Sequence, residues 1–121
     1  MKITIKGREL EMHYSLRILI NYEEITGKSL DFSDMNSISN LVKLFYSAVL
    51  AALQYAKQPL DITYDDFLDF IDSEGNYDIL REFGEWYTNT MLAHMDVENQ
   101  KKGKTQDKKE KKSDLKLEKN V

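Results

Sequence analysis

Between Ser37 and Lys57 the apolar residues recur at 41, 42, 44, 45, 48, 49, 52, 53 and 56. That is the i, i+3, i+4, i+7 spacing of a helix with a very wide buried arc. At about 100° per residue, Asn40, Lys43, Ser47, Leu50, Gln54 and Lys57 collect on the narrow stripe that remains. A helix this apolar has to be covered on most sides, so it is expected at the core of one domain. The run is shorter than the roughly 20 residues that cross a bilayer, and it carries Lys43 and Gln54, so no membrane span is expected. Leu50 breaks the pattern by lying among the polar positions, with Tyr46 at the edge of the same stripe. Either an adjacent element covers the two, or they form a partner-binding spot.

The other segments supply the cover. Ile3 and Ile5 alternate with Lys2, Thr4 and Lys6; after Gly7, Leu10, Met12 and Tyr14 alternate with Glu9, Glu11 and His13. Two period-2 runs split by a glycine turn predict a β-hairpin with one apolar face, which needs helices to pack on. Ser15 offers an N-cap, and LRILINYEEIT (16–26) reads as a helix closed by Gly27. In the connection 28–36, Leu30, Phe32 and Met35 are expected to tuck against the core. The central helix ends before Pro59, which disfavours helix in the residue ahead of it. Thr63, with Asp65 and Asp66 behind it, starts a short helix over 64–72 that buries Phe67, Phe70 and Ile71. After a break at 73–76, Leu80, Phe83, Tyr87 and Met91 form the stripe of a last helix near 77–94, broadened by Ile79, Trp86 and Met95. The expected class is α+β and mainly α. An N-terminal β-hairpin packs on a bundle of about four helices in a domain over 1–95, and a disordered Lys-rich tail follows over 96–121.

Charge changes the picture more than composition does. Residues 1–95 hold 8 Lys and Arg against 15 Asp and Glu, and residues 96–121 hold 9 against 6. A body near −7 thus carries a tail near +3. Such a body repels phosphate backbones, so no nucleic acid partner is expected. The opening MKITIKG alternates instead of forming an apolar run, so no signal peptide is expected. With no cysteine there is no disulfide, thiolate site or thiol nucleophile.

Segment 61–85 holds nine acids against Arg81 alone. An EF-hand alignment fails there, because setting Gly75 at loop position 6 puts Phe70 at position 1 and Arg81 at position 12. A solvated acidic face is the simpler reading, and a face that docks a basic partner through Asp65, Asp66 and Asp69 is the functional one. His13 and His94 are the two histidines, and Glu23 and Glu24 point about 100° apart on their helix. No catalytic, cofactor-binding or metal-binding residue is assigned, and no cofactor is expected.

The order of segments resembles the tail assembly chaperones of long-tailed bacteriophages and prophages. The resemblance is carried by ITIKGRELEMHYSLR (3–17), YEEITGKS (22–29), the apolar helix 41–56, ITYDDFLDFIDSE (62–74) and EFGEWY (82–87). It covers about residues 1–90 and none of the tail. It implies a non-enzymatic, cytoplasmic protein of the bacterial host cell that binds the aggregation-prone tape measure protein. It would keep that protein soluble while tail tube protein polymerises around it, and would be absent from the mature virion. The resemblance leaves room for a homo-oligomer and assigns no fixed binding residues. Tyr46 and Leu50, with Asp65, Asp66 and Asp69, are therefore partner-binding candidates from the residues alone. The alternative function is an acidic DNA mimic or small regulatory protein that blocks a basic surface of a partner.

The tail's composition cannot offset backbone ordering at about 1–2 kcal/mol per residue. Deleting residues 98–121 is expected to leave the melting temperature essentially unchanged, and a loss of several degrees in thermal melts would place the tail in the folded body.

Overall fold

β1 (Lys2–Ile5) and β2 (Arg8–Glu11) pair antiparallel with Ile3 opposite Leu10 and Ile5 opposite Arg8. The two residues between them, Lys6 and Gly7, both take positive φ (52° and 76°), which suits the twist of a two-residue hairpin turn. The alternation places Ile3, Ile5, Leu10 and Met12 on the buried face, and Lys2, Thr4, Glu9 and Glu11 outside. This is a computed structural model; it describes residues 1–75 and 77–107, with side chains as far as Met95. The chain divides into two units, Met1–Tyr87 and Thr88–Val121.

Among the described residues four α-helices follow the hairpin, so the protein is α+β and mainly helical. α1 (Leu16–Thr26) ends where Gly27 enters the left-handed region at φ 79° and its N–H reaches the Glu23 carbonyl. Ser15 takes the N-cap position, but its hydroxyl makes no capping bond and its buried Oγ has no partner. A 3-10 turn (Phe32–Asn36) leads into α2 (Ile38–Tyr55), whose N-cap Ser37 accepts from the Asn40 amide. α3 (Tyr64–Ser73) opens with a reciprocal capping box between Thr63 and Asp66, with Asp65 also favourable in the first turn. α4 (Tyr77–Asp107) runs past the boundary expected at residue 95. Within the second unit, Leu92 and Met95 are exposed and Met91 is half-buried. Residues 108–121 of the expected disordered tail lie outside the described residues.

The core of the first unit is built around α2. Phe45 stacks on Phe83 of α4 at 4.4 Å between centroids with planes 4° apart, and meets Phe67 of α3 edge-on at 4.9 Å. Such ring pairs add about 0.5–1.5 kcal/mol each beyond the area they bury. Ile62, Phe70, Ile71, Leu80 and Tyr87 are buried in the same unit. Tyr14, the last alternating residue of the hairpin segment, lies 5.4 Å from the Tyr87 ring.

α1 lies on the stripe of α2 that the sequence marks as polar. Asn21, 5 % exposed, donates from Nδ2 to the Ser47 carbonyl at 3.2 Å and to Gln54 Oε1 at 3.3 Å. Ser47 is fully buried, with its hydroxyl turned back onto the Lys43 carbonyl at 2.7 Å. The stripe is thus a hydrogen-bonded helix interface and not a solvated face. Phe32 departs from the expected tuck, being 65 % exposed, while Leu30 and Met35 are half-buried. Asp31 and Asp34 close a capping box around the 3-10 turn. The backbone is set by those polar bonds, and the ring between them is turned out.

The end of α2 carries a local strain. The Gln58 N–H reaches the Leu53 carbonyl and the Lys57 N–H reaches the Gln54 carbonyl, the two bonds of a Schellman cap. Its left-handed position is held by Lys57 at φ 57°, where a side chain costs about 1 kcal/mol relative to glycine. Lys57→Gly is expected to raise stability by about 0.5–1 kcal/mol, read as a higher urea midpoint with unchanged slope.

Candidate functional site

The sequence candidates separate once α3 is in place. Tyr46 is half-buried, and its hydroxyl donates to the Ile62 carbonyl at 2.6 Å. Its ring lies 5.4 Å from Tyr64 and 5.5 Å from Phe67. Burial, with a smaller effect from the nearby Asp66 carboxylate, raises the Tyr46 hydroxyl above its ordinary pKa. Tyr46 therefore holds the loop ahead of α3 and is not a free apolar anchor. Leu50, one turn on, is half-buried.

The three acidic candidates divide in the same way. Asp65 and Asp69 are exposed. Asp66 accepts from the Thr63 amide at 3.1 Å and from Lys6 Nζ at 3.2 Å, and these bonds hold its carboxyl below the usual range. Asp66 thus caps α3 and ties it to the hairpin turn. Arg8 makes a second tie, to Asp61 and to Gln58 Oε1 at 3.1 Å. Part of the acidic segment is accordingly committed to holding the hairpin, while Asp65, Asp69, Asp72 and Glu74 face solvent.

Two features go beyond the sequence candidates, although the first takes in Asp66 and Asp69. The first is a groove between β1 and α3. A hollow of about 420 Å³ is lined by Thr4, Ile5, Lys6, Asp69, Phe70 and Glu74 among others. A second of about 270 Å³ shares Thr4, Phe70 and Glu74 and reaches Lys2 and Ile79. The second is an apolar strip at the start of α1, where Leu16 is 70 % and Ile20 47 % exposed, one turn apart. Tyr55, half exposed at the end of α2, lies beneath the Arg17 guanidinium at 4.9 Å. A signal for this strip exists in the sequence. α1 is apolar on two sides, through Leu16, Leu19 and Ile20 and through Ile18, Tyr22 and Ile25, and a single neighbour cannot cover both.

A cluster of titratable groups, with Tyr22 and Asp34 buried and Lys28 half exposed, joins α1 to the 3-10 turn. Asp34 accepts from Lys28 Nζ at 2.8 Å on both oxygens, from the Tyr22 hydroxyl at 3.1 Å and from the Asp31 amide at 3.0 Å. Lys28 foremost, then the Asp31 amide, holds the Asp34 carboxyl below its ordinary range. Burial, reinforced by Asp34, pushes the Tyr22 hydroxyl up to about 12. Oδ2 takes three of these donors and Oδ1 one, so the cluster locks the end of α1 to the 3-10 turn. Among the described residues no group of three or more His, Asp or Glu side chains is placed to hold a metal ion. Among them, too, no helix is long and apolar enough to cross a membrane. Compared with protein-family models, with curated proteins and with solved structures, the chain matches none.

The lock has a pH signature. The folded Asp34 carboxyl ionises below its unfolded value, so its stabilisation is present above the ordinary carboxylate range and is lost as pH falls through the folded value. Asp34→Asn is expected to lower the melting temperature at neutral pH and to flatten the fall in melting temperature on acidification. Parallel acid limbs for variant and parent would show that Asp34 does not contribute.

Proposed function

We propose that this protein is a non-enzymatic tail assembly chaperone of a long-tailed phage or prophage. It binds the tape measure protein and keeps it soluble in the host cytoplasm while tail tube protein assembles around it, and it leaves before the virion is complete. The observation that carries the reading is the exposed apolar pair Leu16 and Ile20 on α1, on a body near −7. A holdase covers the apolar face of a client helix and contributes charge to the complex, and this body offers both. The resemblance of segments 3–17, 22–29, 41–56, 62–74 and 82–87 suggests the client's identity. Tyr46 is engaged within the fold, so the strip on α1 replaces it as the contact surface.

One observation favours the alternative. Asp65, Asp69 and Asp72 stand exposed at i, i+4 and i+7 on α3, a row of carboxylates that a basic surface could accept in place of phosphates.

Co-expression with helical fragments of a tape measure protein, followed by affinity capture, tests the proposal. The parent is expected to retain fragments in the soluble fraction. Leu16→Asp with Ile20→Asp should weaken capture about tenfold with only a small loss in melting temperature, since Leu16 is mostly and Ile20 about half in water. Asn in place of Asp65, Asp69 and Asp72 should leave capture intact. Failure to capture any fragment, with release of a DNA-bound basic enzyme that depends on the three carboxylates, would replace the chaperone with the mimic.

A further inference from the structure

In the hairpin, Met1 and Met12 exchange backbone bonds in both directions, the Met12 N–H to the Met1 carbonyl at 2.8 Å and the Met1 amine to the Met12 carbonyl at 3.4 Å. Antiparallel pairs alternate between bonded and non-bonded, so the next bonded pairs are Ile3 with Leu10 and Ile5 with Arg8. The N–H and C=O groups of Lys2 and Thr4 therefore point away from β2, along the outer edge of β1. Among the described residues no protein group bonds them. The first hollow follows β1 through Thr4, Ile5 and Lys6, and the second continues along Lys2, Ile3 and Thr4 and reaches Glu9 of β2. An open strand edge beside a groove floored by Phe70 and Ile79 is the geometry into which an extended peptide adds as a further strand.

We propose that the outer edge of β1 takes up an extended, basic peptide segment of a partner protein as a third strand, lying in the groove against α3. Charge selects this occupant. Glu9, Asp69 and Glu74 line the groove and have no cationic partner among the described residues, while Lys6 is neutralised by Asp66 and Lys2 lies 4.0 Å from Glu11. Lysines or arginines at alternate positions of a strand recur about every 6.6 Å on one face, which lets them meet the carboxylates while the residues between cover Phe70. A second copy of the chain fits less well. Antiparallel pairing of two β1 edges about Thr4 brings only Lys2 and Lys6, which already face Glu11 and Asp66 of their own chain, so Asp69 and Glu74 of both copies stay without a cation. This inference goes beyond the chaperone reading and does not depend on it.

The test is titration of the full chain with an acetylated, amidated Lys-Val-Lys-Val-Lys-Val peptide and with its Glu-Val counterpart, followed by calorimetry and by amide exchange. The lysine peptide is expected to bind and to slow exchange at Lys2 and Thr4, and the glutamate peptide is expected not to. Thr4→Pro removes an outward N–H and leaves the bonded pairs at Ile3 and Ile5, a placement that edge strands tolerate. It should reduce binding about tenfold with little change in melting temperature. Should that variant misfold, Asp69→Lys with Glu74→Lys, both exposed, should give the same loss in a folded protein. Equal binding of both peptides, or binding without slowed Lys2 and Thr4 exchange, would overturn the proposal. So would a concentration-dependent dimer of the chain alone that Thr4→Pro abolishes, since a second copy would then own the edge.

Discussion

α2 has no side that can be left to water, and the first unit is arranged to satisfy that constraint. Its aromatic side is closed by rings, Phe83 stacked flat on Phe45 and Phe67 set edge-on to it. Its polar stripe is closed by α1, where Asn21 meets the Ser47 carbonyl and the Gln54 side chain. Leaving a buried amide such as Asn21 unpaired costs about 1–3 kcal/mol, so these bonds fix the register of α1 on α2 as well as its presence. A purely apolar contact at the same place would allow α1 to slide.

Electrostatics then decides how the hairpin is held. Two short strands bury too little to stand alone. The apolar face of Ile3, Ile5, Leu10 and Met12 supplies the burial, and the charged turn supplies the position. Lys6 reaches Asp66 in the first turn of α3, and Arg8 reaches Asp61 just ahead of its cap. These contacts lie at the surface and each adds little by itself, in the range of about 0–1 kcal/mol. Their effect is directional, since they set where the edge of β1 lies along α3. These pairs leave the body's net charge unchanged, and Asp65, Asp69, Asp72 and Glu74 present it at the surface.

The sequence carried the hairpin, its buried face, the extent of α1 and the Thr63 cap, because alternation and capping chemistry are local. It did not carry the neighbour of each face. Periodicity puts Tyr46 beside Leu50 on a thin arc, but it cannot say that Tyr64 and Phe67 come back across that arc and that the Ile62 carbonyl meets the Tyr46 hydroxyl. The same gap hid the burial of Ser47 and the exposure of Leu16, Ile20 and Phe32. Serine looks solvated and leucine looks buried until the packing partner is known. The groove escaped for another reason, since it depends on backbone groups that every residue carries and no side chain announces. The composition change at Asp96 marked a tail, yet the α4 backbone continues to Asp107.

The ties between the hairpin and the α3 region span 50 to 60 residues of chain, from Arg8 to Gln58 and from Lys6 to Asp66. A hairpin forms within microseconds, whereas contacts of such separation wait for the intervening chain to be made and to close its loop. During synthesis the strands are complete long before α3 exists, and their apolar face has no cover until the helices arrive. For that interval the hairpin, marginal by itself, leaves Ile3, Ile5, Leu10 and Met12 uncovered whenever it forms, as a sheet face of the kind that aggregates. The lysines at positions 2 and 6 border that sheet on its outer edge, so the charge that later steers contacts on the finished molecule first guards the unfinished one.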